Sequence, residues 1–276
     1  MAWSKVKTIV ILILLSMNLV LAGFSVNRTM QARQTQARAR SEAIAFLESR
    51  EIRMEESEIP RSMELAPMWV SRDVAAERRL AENLLKGGVE PEARGAEVYR
   101  YSNQNGFIQF HSNGEFSALF SSDELRAGTQ TVEEYSQEIL KSLELQGELV
   151  DEDEREGRRD LTYQEYWRGA PLFNCQVTLT YQGEVLRRIS SGKRLVGTPV
   201  EHTAEQAGSV ATALMRFYNG VSAMGDAYSE IREIVPGYLL TSTIGETMPL
   251  SPVWRIKTDV RTYQLDLQTG ALSRMG

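Results

Sequence analysis

The chain has 276 residues, 42 % hydrophobic and 25 % charged, with a formal net charge of −6. The acidic balance argues against nucleic acid as a partner, which would call for a basic face. Cys175 is the only cysteine, so no internal disulfide can form, and it reads as a small hydrophobe buried on a strand.

The chain opens with WSKVKTIVILILLSMNLVLAGFSVNR, Trp3 to Arg28, which is uncharged between Lys7 and Arg28. Its apolar part, Ile9 to Phe24, is interrupted only by Ser16, Asn18 and Gly23. A spanning helix needs roughly 20 apolar residues. Val6 and Val26 extend the run to that length if Lys7 snorkels, and Trp3 stands where an interfacial aromatic would. The rival reading is a signal peptide, with Lys5 and Lys7 as its basic start and Val20-Leu21-Ala22 as its cleavage site. The apolar run is longer than the about 7 to 15 residues usual in such a peptide. Phe24 occupies the place of a lipidated cysteine, which excludes lipid anchoring there. The expectation is an uncleaved anchor over 1–26. Counting Arg28, Arg33, Arg38 and Arg40 against Lys5 and Lys7 would put the C-terminal side in the cytoplasm.

Asn27 to Ser49 lacks Gly and Pro and is rich in helix formers. Met30, Ala37 and Ile44 stand seven apart and Leu47 follows, but Arg40 and Glu51 break the pattern. The expectation over 27–60 is a helical stalk that docks its last turns, then a short strand ended by Pro60. From Ser71, SRDVAAERRLAENLLKGG predicts a helix stopped at Gly87-Gly88. Glu97 to Phe120 predicts an antiparallel meander, turned at Asn105-Gly106 and Asn113-Gly114.

A second helix is expected over Thr131 to Leu143, with Thr131 and Glu134 as a capping box. The acidic run DEDERE, Asp151 to Glu156, reads as a solvated loop. Three strands follow, with turns at Arg168-Gly169 and Gln182-Gly183. A third helix is expected from a Thr203 cap to a stop at Gly220. Four strands close the chain: Tyr228 to Ile234, Gly237 to Thr243, Pro252 to Thr258 and Thr262 to Asp266. Helix then antiparallel strands, twice over, predicts an α+β fold of repeated units divided as 61–145 and 146–276.

No catalytic constellation is legible. His111 and His202 sit beside a turn and before a helix cap, positions that usually carry exposed polar residues. There is no HExxH, no cysteine pair, no GxSxG elbow and no phosphate loop. The expectation is a non-enzyme without cofactor, metal or small-molecule substrate. The closing strands alternate, with Val253, Arg255 and Lys257 on one face and Trp254, Ile256 and Thr258 on the other. Such a hairpin edge can accept a partner strand, with Trp254, Ile256 and Tyr263 as the candidate contacts.

The start WSKVKTIVILILLSMNLVL resembles the anchor of the YycI family, membrane regulators of the WalK/WalR two-component system in Gram-positive bacteria. The ending WRIKTDVRTYQLDLQTGAL resembles the closing strands of YycI-like and PepSY-like domains. In that family a polar, usually acidic, residue interrupts the anchor near Asn18. The resemblance implies a cytoplasmic N-terminus and an extracytoplasmic domain, against the arginine count. It also implies partnership with a sensor histidine kinase and a related anchored regulator. Asn18 would then be the polar contact to a partner helix, with Ser16 a further candidate two residues away on a different face. A second reading is a PepSY-type anchored inhibitor or binding module acting on a secreted protease.

Overall fold

The computed structural model describes residues 17–18, 30–31, 34–61, 65–93, 95, 98–195, 197–202, 208–242 and 247–275. The expected anchor lies outside them except for Met17 and Asn18, which are helical and exposed. Among the described residues no helix is long and apolar enough to cross a membrane.

The fold is mixed α+β, mostly sheet. Helix α1 covers 34–49. Strand β1 (Arg53–Met54), a 3-10 turn (Glu56–Glu58) and β2 (Met68–Ser71) lead into α2 (Val74–Leu84). Then come β3 (Glu90–Ala93), β4 (Tyr99–Asn103), β5 (Gly106–Phe110), β6 (Phe116–Phe120) and α3 (Val132–Ser142). Four long strands follow: β7 (Gly147–Arg155), β8 (Arg158–Trp167), β9 (Ala170–Gln182) and β10 (Val185–Ser191). The chain closes with β11 (Pro199–Glu201), α4 (Val210–Ala223), β12 (Glu230–Leu240), β13 (Thr247–Thr258), β14 (Thr262–Asp266) and β15 (Leu272–Met275).

One half of the sheet runs β3-β4-β5-β6-β10-β9-β8-β7, antiparallel throughout. Helices α2 and α3 cover it. Asp73 caps α2 by accepting from Ala76 N at 2.9 Å, and Leu80, Ala81 and Leu84 form its buried stripe. Thr131 and Glu134 close the capping box of α3, whose Ile139 and Leu140 are buried with Leu143 beyond. The Ser136 hydroxyl meets Tyr181 OH at 2.8 Å, so helix and sheet share a satisfied polar contact inside the core.

In the other half β13 lies between β12 on one side and β2 and β14 on the other, with β11 and β15 at the margins. Helices α1 and α4 pack on it, burying Ile44, Leu47, Leu214 and Phe217 against Trp254, Ile256 and Tyr263. A parallel bridge, Tyr238 to Leu172, joins the two halves. Around it Met68, Val70, Cys175 and Leu250 form a third cluster. Arg40 breaks the apolar pattern of α1 for a reason. Its guanidinium donates to the carbonyls of Glu56, Ile59 and Pro60 and to the Glu56 carboxylate, which ties α1 to the chain that follows it.

Three expectations need correction. The division into 61–145 and 146–276 does not follow the sheet. β7 to β10 belong with β3 to β6, because β10 satisfies the open edge of β6 from Arg188↔Leu119 to Ser191↔Phe116. In turn 34–54 and β2 belong with the C-terminal strands. The acidic run is not a loop: Asp151 to Arg155 belong to strand β7, where Glu152 pairs with Arg159 on β8, across a turn with Glu156 φ 49° and Gly157 φ 76°. Gly220 does not stop α4. An added Cβ there would stand 2.9 Å from Leu272 Cδ2, so this glycine admits β15 against the helix. The expected Thr203 cap lies outside the described residues, and α4 is capped by Ser209, which accepts from Thr212 N at 3.2 Å.

Candidate functional site

The residues expected at an accepting edge are in the core. Trp254 is 1 % exposed, and Ile256 and Tyr263 are 0 % exposed. Strand β13 has neighbours on both edges, and β14 lies between β13 and β15, so no partner strand can pair there. The alternation was read correctly, but it marks the face beneath α1 and α4. The Tyr263 hydroxyl donates to Asp226 Oδ2 at 2.9 Å, and Arg274 grips the same carboxylate. Those two hydrogen bonds, Arg274 first, hold Asp226 below the usual carboxylate range. Ser16 lies outside the described residues, and Asn18 has no described neighbour but Met17.

The two histidines are apart. His111 Nε2 lies 2.8 Å from Gln109 Nε2, and His202 packs against Trp69. Among the described residues no cluster of His, Cys, Asp and Glu could hold a metal ion.

The accessible edge is β7. Among the described residues it pairs only with β8 along its length, and no other described strand meets its outer backbone groups. Leu149 is 43 % and Val150 50 % exposed. The other margins are two to four residues long, and β3 carries Pro91, which are the usual guards of an edge. On β7 the guard is charge. Glu152 is held by Arg159 at 2.6 Å and Asp153 by Arg155 at 3.0 Å. Arg159 also pairs with Glu133 of α3, which fixes the ribbon to the helix layer. Among the described residues Glu148, Asp151 and Glu154 have no cationic partner. The edge therefore presents backbone hydrogen-bonding groups, two apolar side chains and uncompensated negative charge.

A second feature was missed in the sequence. Leu161, Tyr163 and Glu165 alternate toward the helix-bearing face of β8, so Glu165 is a carboxylate in a core register. It is 3 % exposed, and its protein donor is the Leu195 amide, at 3.2 and 3.4 Å from the two oxygens. Burial pushes its carboxyl up to about 7, offset in part by the Leu195 amide and the Arg194 charge. Burial also lowers the pKa of Arg194, against the pull of Glu77 and Glu165. An acid at an inward position of an alternating strand is the signal that could have found this site.

No family model and no curated protein matches the chain, so the YycI-like resemblance rests on the residues of its two ends. Among solved structures, an uncharacterized protein from Eubacterium rectale aligns with a TM-score of 0.44 at 14 % identity, over 76 % of this chain and 82 % of its own. The C-terminal domain of YpeB from Bacillus megaterium aligns with a TM-score of 0.38 at 10 % identity, over 75 % of this chain and 99 % of its own.

Proposed function

We propose that the chain is a non-enzymatic, single-pass membrane regulator, with a cytoplasmic N-terminus and an extracytoplasmic domain. It modulates a sensor histidine kinase, alongside a related anchored regulator. The apolar run Ile9 to Phe24 and the YycI-like ends support the anchor and the partner class. The observation that carries the binding role is the open edge of β7. A partner strand can add there through main-chain hydrogen bonds, with basic side chains opposite Glu148, Asp151 and Glu154. Like charge along the edge opposes pairing between two copies of the chain. In the bilayer, Asn18 favours a hydrogen-bonded partner helix by about 0.6 to 2 kcal/mol.

The experiment is crosslinking capture from membranes with the full-length chain, a copy lacking 1–28, and the substitutions Asn18→Leu and Val150→Pro. Val150 is the bulge residue of β7, without a register partner on β8, and Val150→Pro removes its amide. The expected result is capture of a histidine kinase by the full chain, weakened by both substitutions. Capture unchanged by Val150→Pro removes the edge from the mechanism. Unchanged capture and kinase output with Asn18→Leu removes the membrane contact. Capture of a secreted protease by the copy lacking 1–28 replaces this reading with that of a PepSY-type binding module.

A further inference from the structure

A cavity of about 360 Å³ lies between the first half of α2, the chain leaving α3, the end of β8 and the segment after β10. That is the lower range of small-molecule sites, about 300 to 1,000 Å³. Leu80 and Leu143 give it apolar wall, and Arg79 and Glu144 stand exposed at its mouth. Most of its buried polar groups are already engaged. Arg194 donates to Leu195 O at 3.0 Å, lies 3.7 Å from Glu77 and stacks over Phe110. Asp73 is taken by the first turn of α2.

Two groups are left over. Among the described residues Glu165 has one amide donor shared by two oxygens, where a carboxylate accepts up to about four hydrogen bonds. Trp167, also lining the cavity, has a buried indole Nε1–H without an acceptor among the described residues. Buried polar groups are nearly always paired. Here one lacks a donor and the other lacks an acceptor, so a single small molecule with both would satisfy the pair. We propose that the cavity binds a small ammonium compound with a neighbouring oxygen acceptor, an amino acid in its simplest form. Its ammonium sits against Glu165, and its oxygen takes the Trp167 indole hydrogen.

The binding has a pH signature. The charged and titratable groups around Glu165 are Arg194 and Lys193 after β10, Cys175 on β9, Glu77 and Arg79 on α2, and Glu144 after α3. Burial keeps the Cys175 thiol well above its usual pKa and so neutral. Glu165, pushed up to about 7, is the group that changes. An ammonium needs it ionised. The ionised fraction rises from roughly one tenth at about pH 6 to roughly nine tenths at about pH 8, so apparent affinity rises about tenfold.

The test uses the full-length chain labelled at its indole nitrogens, with the Trp167 resonance assigned from Trp167→Phe. The probe is alanine, whose amine stays protonated over this range, and the control is N-acetylalanine, which has no ammonium. The expected result is a saturable shift of the Trp167 resonance by alanine alone, with affinity rising about tenfold over that interval, and its loss in Glu165→Gln. No response to alanine, an equal response to N-acetylalanine, or affinity that is flat or falls with pH overturns the proposal. If Glu165→Gln does not fold, the wild-type pH series decides.

Discussion

Glu77 and Arg194 face each other in the interior, 3.7 Å apart from Oε1 to Nη2, with side chains 1 % and 6 % exposed. The same carboxylate takes Arg72 Nε at 3.0 Å and Arg72 Nη2 at 2.9 Å. One buried anion thus serves two guanidinium groups, and those cations join the start of α2 to the segment after β10. Removing the anion takes the shared carboxylate from both, leaving buried cations with backbone carbonyls such as Phe110 O and Leu195 O. Glu77→Ala is expected to destabilise the domain by about 3 to 5 kcal/mol. Urea unfolding of the variant measures this, and a loss under about 1 kcal/mol would show that water replaces the carboxylate without penalty.

Glu165 sets a pH dependence of stability. Its folded pKa, about 7, lies above the unfolded value of 4.5, so between those values the folded state holds the extra proton. Stability therefore falls as pH rises through that window, and the penalty is complete above it at about 3 kcal/mol. Glu165→Gln keeps the shape and lacks the charge. It should match the wild type near pH 5 and exceed its unfolding free energy at pH 8. An identical pH profile for the two proteins would place the titration elsewhere.

Gly106 begins β5 with φ 145°, and a Cβ there would lie 2.1 Å from Leu119 O on β6. The clash is with backbone, which cannot rotate away. Gly106→Ala should cost about 3 kcal/mol through overpacking and strain. Gly169 offers the contrast, with φ 82° and open space around it. Gly169→Ala carries only the left-handed backbone penalty, about 1 kcal/mol. Thermal unfolding of the two variants separates contact from conformation.

Arg40 donates to Glu56 O at 2.9 Å and Ile59 O at 3.1 Å. Arg40→Ala leaves these carbonyls without their donor and should cost about 2 to 3 kcal/mol. Arg40→Lys should recover only part, since one ammonium cannot reproduce the fork. Hydrogen exchange over 34–60 would then show faster opening of α1 in both variants, and most in the alanine one.

What the sequence determined by itself is local. The Thr131 and Glu134 box, the β4-β5-β6 meander, the turn at Arg168-Gly169 and the turn after Gln182, at Gly183-Glu184, are specified by residues within a few positions of one another. So is the alternation of β13. Hydrogen bonds of caps and turns close between near neighbours, and side-chain alternation is a property of the strand alone. The tertiary structure decided which edges remained open. Only the pairing of β12 and β2 with β13 and of β15 with β14 shows that the closing strands are interior and that Trp254, Ile256 and Tyr263 serve the core. The charges followed the same logic. Asp151 to Glu156 reads as a solvated run until Arg159 on β8 pairs with Glu152. Glu165 reads as any surface acid until two helices and the segment after β10 close over β8. Such pairings join residues far apart in sequence, and they are selected by the burial and hydrogen bonding of the whole sheet rather than by the local preference of either strand.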